Sequence, residues 1–122
     1  MPSPHSPAAD PSGLRPVEFE ILLTLADGER HGYAILQAIE ARRDGAGRLE
    51  TGTMYRALRR LVEGGLVAPT DRRPRDEHDD ERRRYYAIAA LGKRVAATEA
   101  ARMARLVAAA RAARLIPIPG AG

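Results

Sequence analysis

The stretch LETGTMYRALRRLVEGGLV, residues 49–67, constrains the fold more than any other part of the chain. At about 100° per residue, Met54, Leu58, Leu61 and Val62 fall on one side of a helix. Gly52, Arg56, Arg59, Arg60 and Glu63 fall on the other. A helix with this pattern buries one face and leaves a cationic face free. Thr51 or its neighbour can cap the start, and Gly64 and Gly65 supply the left-handed chemistry that ends helices. The spacing therefore predicts a helix over Thr51 to Glu63. Its first turn is narrow at Gly52 and Thr53, and its unpaired backbone N–H groups sit at the positive end of the helix dipole, where an anion such as phosphate is favoured. Tyr55, at the edge of the two faces, is a further donor in this reading.

The flanking segments have their own periods. Val17, Ile21, Leu22 and Leu25 predict a first helix over residues 15–27, ended by Asp27 and Gly28. Tyr33, Ile35, Leu36 and Ile39 predict a second, from Gly32 to Asp44, with those four residues facing inward. The RLE of residues 48–50 allows no more than a strand stub. LVAPT (66–70) and RRYYAIA (83–89) lean towards β structure and are separated by the charged DRRPRDEHDDE, so they read as a hairpin with a long loop. Pro69 makes the first of these an edge strand. In the second, Tyr85 and Tyr86 alternate, one inward and one outward. From Ala90 to about Leu115 the chain is helix-forming, with Leu91, Val95, Met103, Leu106 and Val107 near one face. A helix of that length outruns what a core of this size covers and calls for a partner.

At 122 residues the chain fits one small domain. It contains no cysteine, which excludes disulfides and thiolate metal sites, and it has no apolar run long enough for a membrane span. Residues 1–13 hold four of the nine prolines and have neither the basic start nor the apolar run of a secretory signal, so they read as a disordered arm. The expected setting is reduced and cytoplasmic. Of the 20 cationic residues 19 are arginine, and the formal charge is +4. Arginine's planar fork suits phosphate oxygens and guanine edges, although genome-wide composition bias also raises arginine over lysine. Position tells more than the total. Between residues 48 and 75 seven arginines stand against Glu50, Glu63 and Asp71, a local net of +4.

Three helices, the third tight and cationic, followed by an arginine-flanked hairpin, make a winged helix-turn-helix. The expected class is mainly α with a small β-hairpin (α+β), carrying a long C-terminal dimerisation helix. Its parts are an arm (1–13), the winged domain (14–89), the dimerisation helix (90–115) and a disordered tail (116–122). In such a domain the third helix enters the major groove of double-stranded DNA and the wing lies against the neighbouring backbone. The expected contacts are Thr51, Gly52, Thr53, Tyr55, Arg56, Arg59 and Arg60 from the helix, and Arg72, Arg73, Arg82, Arg83 and Arg84 from the wing.

LLTLADGERHGYAILQAIE, then LETGTMYRALRRLVEGGLV, then ERRRYYAIAALGKRV, with HGY, GTMYRALRRLVEGGLV and RRRYYAI as the tightest matches, resemble the PadR family of bacterial transcriptional regulators over about residues 17–110. The resemblance implies a homodimeric DNA-binding regulator, usually a repressor, whose C-terminal helix builds the dimer. It implies that Tyr55 and Arg56 contact DNA from the recognition helix, that Thr53 holds a phosphate at its start, and that Arg82, Arg83 and Arg84 form the basic return of the wing. With a single helix after the wing, the chain resembles the short members of the family, so a small-molecule inducer would bind at or near the dimer interface. The acidic wing tip DEHDDE, residues 76–81, departs from a phosphate-facing wing and is expected to point away from DNA or to stay mobile, leaving the flanking arginines to make contact.

Rival chemistries find less support. DEHDDE lacks the ligand spacing of known metal sites and reads as a solvated loop, so no metal or cofactor is expected. His31 has no nucleophile arrangement around it and reads as a hydrogen-bonding residue at a turn. The GAG of residues 45–47 lacks the Lys and Ser/Thr of a phosphate-binding loop. An enzyme is not expected. A winged helix that binds protein, or a small-molecule sensor with little DNA specificity, stays open, because the fold serves several uses. Three arginines on the third helix favour DNA over protein. With aromatic residues at 4% and no Trp, a cavity for flat ligands is not evident.

Overall fold

The computed structural model describes residues 13–44, 47–70 and 83–117. Four helices and a small antiparallel sheet surround one core: α1 (Pro16–Leu25), β1 (Arg30–His31), α2 (Gly32–Arg43), α3 (Thr51–Glu63), β2 (Val67–Pro69), β3 (Tyr85–Ile88) and α4 (Ala90–Ala112). The expected α+β winged architecture is what forms.

Pro16 opens α1, where its missing N–H costs nothing. The N–H of Arg15 donates to Glu18 Oε1 at 2.9 Å, so the acid three residues on closes the turn that the cap begins. Ile21, Leu22 and Leu25 then face the core. In α2 the cap is His31, whose Nδ1 accepts the Ala34 N–H at 3.0 Å; this is the turn role expected of it. The buried stripe of α2 is Gly32, Ile35, Leu36 and Ile39, an i, i+3, i+4, i+7 set that begins on the glycine. Tyr33 lies about 100° off that stripe and is 46% exposed, which corrects its expected inward orientation.

The α3 bounds match the expected ones. Glu50 takes the N-cap position with extended backbone, and its side chain makes no capping bond. At the other end Leu66 N–H donates to Leu61 O at 2.9 Å and Gly65 N–H to Val62 O at 3.1 Å, with Gly65 at φ +80°. That pair of bonds is a Schellman motif, and only glycine enters it without strain.

The sheet order is β1-β3-β2. Val67 pairs with Ile88 and Pro69 with Tyr86, leaving β2 at an edge as Pro69 requires. The extra strand differs from expectation. The stub lies at Arg30–His31, paired with Tyr86 and Tyr85, and residues 48–50 form none. Two residues have no period to read, and their pairing follows from β3 offering a second edge beside the start of α2, where Gly32 N–H donates to Arg84 O at 3.1 Å. Tyr86 points into the core and Tyr85 outward, its ring edge-on to His31 at 5.5 Å.

At 23 residues α4 is the longest helix described and spans roughly 34 Å at 1.5 Å per residue. Its first half leans on α1, with Val95 and Ala96 against the core. Its buried positions are Gly92 and Glu99. It stops at Ala112, short of the expected Leu115. Leu115 N–H donates to Ala110 O at 2.8 Å across Arg114, which takes the left-handed conformation at φ 62°.

Candidate nucleic-acid interface

Three elements pack against α3, namely α1, α2 and β2. They bury Met54, Tyr55, Ala57, Leu58 and Leu61. Because the helix is flanked on both sides, its buried arc is wider than an a/d stripe and takes in Tyr55, which is 6% exposed. The expectation that Tyr55 lies at the border of the free face is corrected accordingly, and its ring serves the core.

The opposite face is polar. Thr51, Arg56 and Arg59 are exposed, and Gly52, Thr53 and Arg60 are half-buried. The arginines do not share one environment. Arg60 Nε donates to Glu18 Oε2 at 2.8 Å, and the Glu18 side chain is 8% exposed. One buried carboxylate thus caps α1 with one oxygen and holds α3 with the other. This charge-assisted bond ties α3 to α1. Arg56 lies back over the first turn, with its Nη1 3.0 Å from where a Cβ on Gly52 would stand. Its Nη2 donates to Thr53 Oγ1 at 3.3 Å and lies 3.6 Å from Glu50 Oε1. Sequence reading missed both carboxylates as partners. Glu18 is 42 positions from Arg60 and announces itself only as an acid three residues after a helix start.

Beside the start of α3 a cleft of about 530 Å³ opens between α2 and the connection, lined by Tyr33, Gln37, Arg48, Glu50 and Thr51 among others. Glu40 holds its floor by accepting the Leu49 N–H at 3.2 Å. At the wing, Thr70 N–H donates to Tyr85 O at 2.9 Å, closing the last described rung before the loop. Arg83 is exposed and Arg84 half-buried on the return strand. Arg72, Arg73 and Arg82, and the acidic tip, lie outside the described residues. Among the described residues no group of three or more His, Asp or Glu could hold a metal ion, and no helix is long and apolar enough to cross a membrane.

The expected dimerisation residues divide in two. Val95 packs on the chain's own core and Met103 is half-buried, whereas Leu91, Leu106 and Val107 are 39%, 57% and 39% exposed. Among the described residues none covers Leu106 and Val107 on the distal half of α4.

A three-helix core with a sheet-borne wing and a polar third helix defines a winged helix-turn-helix. The family model described as "Transcriptional regulator PadR-like family" matches residues 21–98, and the chain belongs to that family. Over 86 residues it is 38% identical to an uncharacterised 37.1 kDa protein in transposon Tn4556 of Streptomyces fradiae, covering 70% of this chain and 22% of that protein. The chain thus spans about a fifth of that relative's length. Its fold is similar to a PadR family transcription regulator from hypervirulent Clostridium difficile, with TM-score 0.63, 22% identity, and 78% of this chain and 94% of that one covered. It is also similar to Bacillus subtilis PadR in complex with operator DNA, with TM-score 0.54, 21% identity, and coverage of 66% and 44%.

Proposed function

We propose that the protein is a sequence-specific DNA-binding regulator of transcription, a repressor acting in the cytoplasm as a homodimer on an inverted-repeat operator. The observation that carries the reading is the split of α3, whose apolar residues are all spent on the core while Thr51, Gly52, Thr53, Arg56 and Arg59 face outward. A helix presented this way fits a major groove about 12 Å wide. Arg56 reads a base edge, Thr51 and Thr53 contact phosphate, and the wing arginines Arg72, Arg73, Arg82, Arg83 and Arg84 lie along the adjoining backbone. Arg59 extends the helix contact. Support comes from family membership and from the operator-bound B. subtilis protein of similar fold. The free face of α3 has no apolar patch, which argues against a protein ligand there.

The distal half of α4, through Leu106 and Val107, packs on a second copy, with Met103 at its margin and Leu91, in the first turn of the helix, as a separate contact. A small-molecule inducer would enter at that interface. Two-fold symmetry sets half-sites about one helical turn apart, roughly 34 to 36 Å. The test is selection of duplexes from a random pool, followed by binding across a salt series alongside the mass in solution. Recovery of an inverted repeat bound by a dimer is expected. Recovery of direct repeats only, or of no preferred sequence, would overturn the reading.

A further inference from the structure

The acid at the start of α3 is the least expected charge on a surface read as facing phosphate. Glu50 has a 76% exposed side chain and spends nothing on capping the helix. Instead its Oε1 accepts from Thr53 Oγ1 at 3.3 Å and lies 3.6 Å from Arg56 Nη2, which itself donates to Thr53 Oγ1 at 3.3 Å. Glu50, Thr53 and Arg56 thus form a relay along one side of the first turn. The guanidinium lies close over Gly52, with Nη1 3.0 Å from where a Cβ there would stand.

We propose that Glu50 is a specificity-determining residue that acts through Arg56, and this rests on the DNA-binding reading above. An exposed pair of this kind is weak and salt-screened, so it does not lock the guanidinium. What it changes is net charge and mean direction. On a duplex of the wrong sequence Arg56 has no base edge to meet, and its charge, offset by Glu50, releases no counterion from the backbone. On the right sequence the fork meets guanine O6 and N7, a contact made by hydrogen bonds rather than by phosphate neutralisation. Glu50 therefore leaves the specific contact in place and lowers the non-specific background, which widens the ratio between them.

The experiment compares wild type, Glu50→Gln, Arg56→Ala and the double variant on a random-sequence duplex and on a duplex selected by wild type, each across a salt series. On random DNA, Glu50→Gln is expected to steepen the slope of log K against log salt by about 0.9, one phosphate's worth, and to tighten binding about three- to tenfold at low salt. On the selected duplex the slope is expected to stay the same, so selectivity falls. In the Arg56→Ala background, Glu50→Gln is expected to leave the random-DNA slope unchanged. An equal change on both duplexes, or the same change without Arg56, would make Glu50 a general surface charge and overturn the proposal. So would an unchanged or shallower slope on random DNA. If wild type selects no duplex at all, the DNA-binding reading itself fails, an outcome distinct from all of these.

Discussion

Replacing Gly92 by alanine puts the junction between the winged domain and α4 to a test in which two ordinary effects have opposite signs. A glycine three residues into a 23-residue helix is a poor helix former, and alanine there should stabilise by about 1 kcal/mol on propensity alone. The structure argues for the reverse. A Cβ on Gly92 would stand 2.2 Å from the carbonyl oxygen of Leu66 and 3.0 Å from Ile88 Cγ1. The first obstacle is backbone, fixed by the turn that closes α3, and the same oxygen accepts the Ala89 N–H at 2.9 Å. Restoring ordinary contact means moving α4 off that turn by about 1 Å, with the overpacking cost of about 1 to 3 kcal/mol that such insertions carry. Stretching the Ala89 bond adds about 1 kcal/mol.

Less the propensity gain, the net loss is about 1 to 3 kcal/mol. Urea denaturation at fixed protein concentration reads it, because a slope of about 1 to 2 kcal/mol/M converts that loss into a midpoint lower by roughly 0.5 to 3 M. An unchanged or raised midpoint would show that α4 does not press on Leu66, and the account of the junction would fall. A lowered midpoint with an unchanged slope would support it.

Other perturbations separate the roles assigned to single side chains. His31→Ala removes the acceptor for Ala34 N–H and is expected to cost about 1 kcal/mol in urea denaturation, with His31→Asn recovering most of it; equal losses for both would mean that the cap is not what matters. Arg56→Ala is expected to weaken binding to a selected duplex by about 1 to 3 kcal/mol, whereas Arg83→Ala should weaken all sequences alike and reduce the salt slope by about 1, both read by fluorescence anisotropy. If Arg56→Ala weakened every sequence equally, Arg56 would not be reading a base. Leu106→Asp, at a position 57% exposed in the single chain, is expected to leave a folded monomer by sedimentation with no operator binding, and a full-affinity dimer would remove the distal half of α4 from the interface.

What was legible in the sequence follows from the range of the interactions involved. The bounds of α3 could be read because a 3.6-residue period and a Gly-Gly terminator are both local, and the same holds for the His31 cap and the edge character of Pro69. Tyr33 differs from expectation because an aromatic residue at a helix start looks like core, while the buried stripe takes its phase from Gly32, Ile35, Leu36 and Ile39. Tyr55 was misplaced because the width of a buried arc depends on how many neighbours pack on a helix, and that is a property of the whole fold.

The charge of the candidate interface shows the same limit quantitatively. Counted along the described residues 48–70, Arg48, Arg56, Arg59 and Arg60 against Glu50 and Glu63 give a local net of +2, and the fold brings in Glu18 from α1, which lowers it to +1. Arg56 and Arg60 each have a carboxylate partner within the chain, one exposed and exchangeable, the other buried. Burial decides what each partner can do. A carboxylate 8% exposed cannot release its arginine to a passing phosphate without leaving a buried charge that has lost its ion-pair partner, so Arg60 ties α3 to α1. A carboxylate 76% exposed and unattached to the backbone can be exchanged for any better acceptor, so Arg56 remains available for recognition. Two arginines that look equivalent on a helical wheel are thus given different work by the depth of the acids that fold against them.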